Sequence, residues 1–152
     1  MFSRRGAIKH IFSHHSDEAI YITSTGYISR EVYDLYSDNK NIFYMQGSMG
    51  LSPCIGLGMA ANTDKDIVVL SGDAALLMHL GITHTIAEEG LANLFVYVLD
   101  NGCHESVGGF DSSLLESEYL GIDRIYRIDR SDKKGRVGLD CEKNTKQIKE
   151  LF

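Results

Sequence analysis

Two hydrophobic periods take turns along the chain. Short unbroken apolar runs rich in β-branched and aromatic residues occur at AIYIT (19–23), NIFYM (41–45), DIVVL (66–70) and NLFVYVLD (93–100), and each predicts a buried strand. Between them the apolar positions fall at helical spacing. In SRRGAIKHIF, Ile8, Ile11 and Phe12 share one face and Ser3 is placed to cap the start. SREVYDLY predicts a second helix behind Ser29, and CIGLGMAAN a third behind Ser52-Pro53. ALLMHLGITHTIAEE reads as one long helix stopped by Gly90. RIYRID (124–129) alternates and predicts a fifth strand at a sheet edge, and NTKQIKELF a short amphipathic helix capped by Asn144.

Strand and helix thus alternate four times. That order predicts an α/β fold, a parallel sheet with helices on both faces built from right-handed crossovers, in a single domain spanning 1–152. The glycine-bearing turns TGY, QGSMG, SGDAA and DNGCHESVGG all follow the carboxyl end of a strand. In open α/β sheets those turns share one edge, where ligands bind, and glycine there lets a ligand approach the backbone. Free N–H groups at the helix starts suit an anion, so the pattern points to a phosphate-bearing ligand.

Composition narrows the function class. A formal net charge of −6 argues against a nucleic-acid partner. No apolar run approaches the length of a membrane span, and MFSRRGAIKHIFSHH lacks the continuous apolar segment of a secretory leader. Cys54, Cys103 and Cys141 form no CxxC pair, which disfavours a disulfide framework and fits a reducing, cytoplasmic setting.

The chemistry turns on Asp73, which follows a core strand. Asn101 ends the next strand, 28 residues later, about one helix plus one strand away. Two readings compete for the pair. Asp73 caps the following helix and Asn101 is an Asn-Gly turn residue, or the two side chains meet over one sheet edge as a partial magnesium shell.

GDA followed by DNG at this separation resembles the thiamine-diphosphate motif. TGYISREVY, FYMQGSMGLSPCIGLGMA, VVLSGDAALLMHLG and VLDNGCHESVGG are similar to phosphonopyruvate decarboxylases and their relatives, the sulfopyruvate decarboxylases. The resemblance covers most of residues 3–112 and is nearer to the former through TG-x-x-SRE and NG-x-HES-x-GG. It implies that Asp73 and Asn101 bind Mg²⁺ through side chains and Cys103 through its carbonyl. It implies that Gly72, Ala74 and Ala75 approach the diphosphate with backbone N–H groups, and that Thr25, Gly26 and Tyr27 line the same pocket. From the QGSMG turn, Gly47 would accept a hydrogen bond from the cofactor's 4′-amino group beside Ser48, and Met49 would be the apolar wedge that bends the cofactor. Ala74 stands where the family has glycine, a substitution that is costly only at positive φ.

The same resemblance implies a carboxy-lyase acting on 3-phosphonopyruvate, with sulfopyruvate as the alternative substrate and a non-catalytic remnant as a third reading. The glutamate that activates the cofactor lies, in that family, on a pyrimidine-binding domain absent from this chain. Glu88 and Glu89 fall at the far end of the predicted helix after Asp73, some 20 Å away by the helix rise. A heteromer with a pyrimidine-domain subunit is therefore expected. The C-terminus reads as shortened by about one βα unit, which predicts an open sheet edge. His104 is a candidate for substrate contact or proton transfer, with a hydrogen-bonded loop role as its counterpart. His79 and His84 read as structural, His14-His15 as a solvated pair, Cys54 as packed in a helix, and RIDRSDKKGR as a solvated loop.

Overall fold

The computed structural model describes residues 1–112, 114, 118–130 and 134–152; three residues of the RIDRSDKKGR stretch lie outside these. In chain order the elements are α1 (Arg4–Phe12), β1 (Ile20–Thr23), α2 (Tyr27–Tyr36), β2 (Ile42–Tyr44), α3 (Ser52–Ala60), β3 (Ile67–Gly72), α4 (Asp73–Met78), α5 (Ile82–Glu89), β4 (Leu94–Asp100), β5 (Cys103–His104), β6 (Phe110–Asp111), β7 (Arg124–Arg127) and α6 (Cys141–Lys149). Five strands form one sheet in the order β2-β1-β3-β4-β7. All four pairings are parallel, so the expected α/β class is observed.

The strands are buried on both sides because successive residues feed two different cores. Tyr21, Val68 and Leu70 face Ile8, Ile11 and Val32 of α1 and α2. Ile20, Ile22, Ile67 and Val69 face Ala60, Ile86 and Ile148 of α3, α5 and α6. This is the period-2 consequence of an apolar strand with helices above and below. The α3 contact is close: a Cβ on Gly56 would stand 2.4 Å from Val69 Cγ2, which accounts for glycine in mid-helix.

Helix starts depart from the sequence expectation at three places. Ser3 does cap α1, accepting the Gly6 N–H at 3.0 Å. Ser29 does not cap α2. Gly26, at φ 98°, turns the chain straight off β1 into a helix beginning at Tyr27, and Ser29 lies inside it, donating to the Ser24 carbonyl at 2.6 Å. Leu51, not Ser52, holds the cap position of α3. Asp140, not Asn144, caps α6, accepting the Lys143 N–H at 2.9 Å.

The long helix expected over 75–89 is two helices. The backbone leaves helical geometry at His79, and α5 resumes after Gly81. The break lets Leu76 of α4 pack against Val98 and Leu114 while Ile82 and Ile86 of α5 join the separate core under α3. One straight helix presents only one apolar stripe and cannot do both.

The sheet edges are partly closed within the chain. Asn144, wholly buried, accepts the Tyr44 N–H and donates to the Ile42 carbonyl, both at 2.8 Å, so α6 completes the outer side of β2. At the other end Phe2 forms a parallel bridge to Ile128 next to β7. Among the described residues no helix is long and apolar enough to cross a membrane.

His14 and His15 are not a solvated pair. His14 is exposed, but the His15 ring is 5% exposed and lies edge-on against Phe95, with a nitrogen 3.0 Å from the Tyr97 hydroxyl. Burial lowers its pKa below the usual 6.5, an effect that the neighbouring Asp66 only partly opposes. A folded-state pKa below the unfolded value favours the unfolded state's proton uptake. The stabilisation is therefore present above about pH 6.5 and is lost as pH falls from there through the lowered value. The thermal midpoint of the wild type is expected to drop between pH 7.5 and 5.5 by more than that of His15→Phe, and equal slopes in parallel melts would disprove this.

Candidate functional site

From β1 the chain runs outward to β2 and then crosses back to lay β3 on the other side of β1. The loops after β1 and β3 diverge at that reversal, and a crevice at the carboxyl ends of the strands follows. An open cleft lies there. Gly72 of β3 pairs in register with Leu99 of β4, so Asp73 and Asn101 leave the same sheet edge from neighbouring strands.

Ten of the residues anticipated for the site line this cleft: Thr25, Tyr27, Met49, Gly72, Asp73, Ala74, Ala75, Asn101, Cys103 and His104. Gly26 lines an adjoining cleft that shares Thr25 and Met49. Gly47 and Ser48 line neither; they are exposed in the loop between β2 and α3, where Ser48 has φ 53°. Among the described residues Ser48 is the only non-glycine with positive φ, so Ala74 sits in helical backbone without strain.

Asp73 settles the capping question. It is the first residue of α4, and Gly72, which has no side chain to cap with, holds the cap position. Among the described residues no side chain takes up the first-turn N–H groups of α4. The Asp73 carboxylate is 3% exposed and accepts the Ser112 hydroxyl at 2.6 Å. Among the described residues this neutral hydroxyl is its one side-chain donor, which compensates a buried carboxylate poorly.

The loop after β4 is held from several directions. Asp100 is buried, pairs with Arg127 and accepts the Gly102 N–H at 2.8 Å. Asn101 Oδ1 accepts the Cys103 N–H at 3.1 Å. Cys103 and His104 form a two-residue antiparallel ladder with Phe110 and Asp111, closed by a turn through Gly108 and Gly109 at φ 83° and 72°. Burial raises the pKa of the Cys103 thiol, which leaves that sulfur protonated and its backbone carbonyl as the available donor. That carbonyl accepts the Glu105 N–H at 3.0 Å and keeps a second lone pair. The His104 ring is 3.0 Å from Met49 Sδ and joins the loop after β4 to the loop after β2.

Three further residues belong here that the sequence did not single out: Arg4, Glu105 and Ser112. Arg4 is 2% exposed at the first position of α1 and pairs with Glu105, which also accepts the Asn101 amide N–H at 2.7 Å. Arg4 and Arg30 both lie over the Tyr27 ring, at 5.5 and 5.0 Å. One signal was legible. Arg4 puts a cation at the positive end of a helix whose first turn has no acidic residue, a local penalty that asks for a distant partner.

The other titratable candidates stay outside. His79, His84, Glu88 and Glu89 are exposed and line neither cleft. Cys54 packs in α3 as expected. Among the described residues no cluster of three His, Cys, Asp or Glu side chains is arranged to hold a metal. One carboxylate, one amide oxygen and one carbonyl instead form a sparse all-oxygen set, which suits a magnesium ion whose remaining positions go to phosphate and water.

The family described as thiamine pyrophosphate enzyme, C-terminal TPP binding domain, matches residues 23–133. The phosphonopyruvate decarboxylase of Streptomyces viridochromogenes is 39% identical over 107 residues, 70% of this chain and 27% of that protein. The sulfopyruvate decarboxylase subunit beta of Methanothermobacter thermautotrophicus is 41% identical over 108 residues, 71% of this chain and 57% of that subunit. That of Methanocaldococcus jannaschii is 37% identical over 145 residues, 90% of this chain and 77% of that subunit. The chain thus spans about a quarter of the length of the phosphonopyruvate decarboxylase and a larger share of the beta subunits.

Proposed function

The chain belongs to the thiamine pyrophosphate enzymes, as their C-terminal TPP-binding domain, and from that premise we propose that it is the diphosphate- and Mg²⁺-holding part of a 2-oxo acid decarboxylase. The observation that carries the reading is the convergence of Asp73, Asn101 and Cys103 on one cleft at the reversal between β1 and β3. Thiamine diphosphate, when bound, supplies the electron sink that allows a 2-oxo acid to lose its carboxylate as CO₂.

The residues of this chain have distinct tasks. Asp73, the Asn101 side chain and the Cys103 carbonyl hold the metal. Ala74 and Ala75 offer first-turn N–H groups to the diphosphate beside Gly72, with Thr25, Gly26 and Tyr27 on the facing wall. Met49 supplies an apolar surface shared by the two clefts, while Gly47 and Ser48 stand exposed in the loop just before it. His104, against Met49, is placed to contact the substrate or relay a proton. Among the described residues the cleft has two carboxylates, Asp73 and Glu105, and each already holds a donor. In the family that the chain resembles, the carboxylate that activates the cofactor lies on a pyrimidine-binding domain, and a partner subunit carrying that domain would supply it, a reading supported by the name subunit beta of the sulfopyruvate decarboxylase relatives.

The substrate is a three-carbon 2-oxo acid with a second anionic group. The first reading is 3-phosphonopyruvate, giving phosphonoacetaldehyde and CO₂, on the strength of TG-x-x-SRE and NG-x-HES-x-GG. Sulfopyruvate is the second, favoured by the alignment that covers 90% of this chain. Co-expression with a pyrimidine-domain chain, followed by CO₂ release from each substrate with thiamine diphosphate and Mg²⁺, tests both. Turnover of one substrate at least tenfold faster is expected, whereas a stable complex that turns over neither would leave only the non-catalytic remnant.

A further inference from the structure

We propose that Glu105 is a positioning residue that decides which end of the Asn101 amide faces the cleft. The proposal rests on the reading of Asp73, Asn101 and the Cys103 carbonyl as a divalent-cation site. Asn101 touches two groups of fixed polarity. Its Nδ2 donates to Glu105 Oε2 at 2.7 Å, and its Oδ1 accepts the Cys103 N–H at 3.1 Å. A carboxylate accepts and a backbone N–H donates, so the network admits one amide orientation. In that orientation the oxygen, with a second lone pair, is the amide atom open to a cation. The reverse orientation would set the amide N–H groups against the metal and the Cys103 N–H.

Arg4 holds Glu105 in place. The guanidinium is buried, its Nη2 pairs with Glu105 Oε2, and among the described residues its Nη1 has no hydrogen-bond partner. Among the described residues Glu105 is the carboxylate that compensates it, so the pair is committed to this geometry rather than to solvent. Tyr27, under the Arg4 guanidinium, ties the same network to the loop after β1. A buried cation at the positive end of α1 is unfavourable for the helix and serves the loop 101 residues away.

Residues that orient a metal ligand in this way typically account for roughly 10- to 100-fold in metal affinity. The test is a Mn²⁺ titration of the purified chain with thiamine diphosphate present, read by electron paramagnetic resonance, with melts of the metal-free protein alongside. Glu105→Ala should weaken Mn²⁺ by that factor. Glu105→Gln keeps an acceptor for both Asn101 and Arg4 and should stay within a few-fold of wild type. Should Glu105→Ala fail to fold with Arg4 unpaired, the double variant Arg4→Met, Glu105→Ala removes the orphan charge and should show the same weakening. Equal weakening in Glu105→Gln and Glu105→Ala would overturn positioning in favour of a charge effect. Wild-type affinity in Glu105→Ala or the double variant would overturn it outright. Asp73→Asn separates the two levels: if it alone loses Mn²⁺, the site stands and the positioning role falls. If it too binds normally, or the wild type takes up no Mn²⁺, the site reading falls and the proposal with it.

Discussion

Asp73→Asn is expected to weaken Mg²⁺-dependent binding of thiamine diphosphate strongly while leaving the fold at least as stable as before. Asn keeps the shape of Asp and an oxygen that accepts the Ser112 hydroxyl, now at 2.6 Å from the carboxylate. It also removes a negative charge buried to 3% exposure with a neutral donor, which favours the folded state. The ligand side loses instead. Removing one partner of a buried charge pair costs about 2–5 kcal/mol, and about 1.4 kcal/mol is tenfold, so affinity should fall by roughly 30-fold to several thousand-fold. The two readouts must move in opposite directions or apart. A structural Asp73 would give the reverse pattern: a lower thermal midpoint in melts and unchanged cofactor binding by calorimetry. Gain of stability with loss of binding is the signature of a residue kept for function.

Asp73 was legible because its position is set by two things a sequence displays, the end of an apolar run and the glycine before it. Asn101 was legible for the same reason, and parallel pairing of β3 with β4 brings the two together. The network behind them was not. Arg4 and Glu105 are 101 residues apart, and nothing local in SRRGAIKHIF or NGCHES says that the two will meet. The errors at helix starts have the same origin. Ser29 and Asn144 carry the side chains that cap helices, but each spends its hydrogen bonds on tertiary partners, the Ser24 carbonyl and the β2 backbone. Glycine and aspartate at Gly26 and Asp140 take the caps instead. The break at His79 was hidden because periodicity reports an apolar face and not which core that face meets. His15 was misread because a neighbouring histidine pair looks polar, whereas only one of the two rings points into the aromatic cluster around Phe95.

Asn144→Ala should be the most damaging single change away from the cleft. Its two side-chain bonds complete the outer edge of β2, one to the Tyr44 N–H and one to the Ile42 carbonyl, each at 2.8 Å and out of contact with water. Alanine would leave both backbone groups buried and unpaired, at about 1–3 kcal/mol for each such group. A total near 2–6 kcal/mol is a large part of the roughly 5–15 kcal/mol that holds a domain together. At about 2–4 °C per kcal/mol for a chain of this size, the thermal midpoint should fall by roughly 4–24 °C. Asn144→Asp should be no better, since its second oxygen would face the Ile42 carbonyl. Were Asn144 a helix cap, its loss would cost about 1 kcal/mol, the amount expected for Asp140→Ala at the real cap. Amide exchange separates the two accounts. With Asn144 acting as a substitute strand, Tyr44 loses protection in Asn144→Ala and keeps it in Asp140→Ala. Retained Tyr44 protection in Asn144→Ala would show that the β2 edge does not depend on α6.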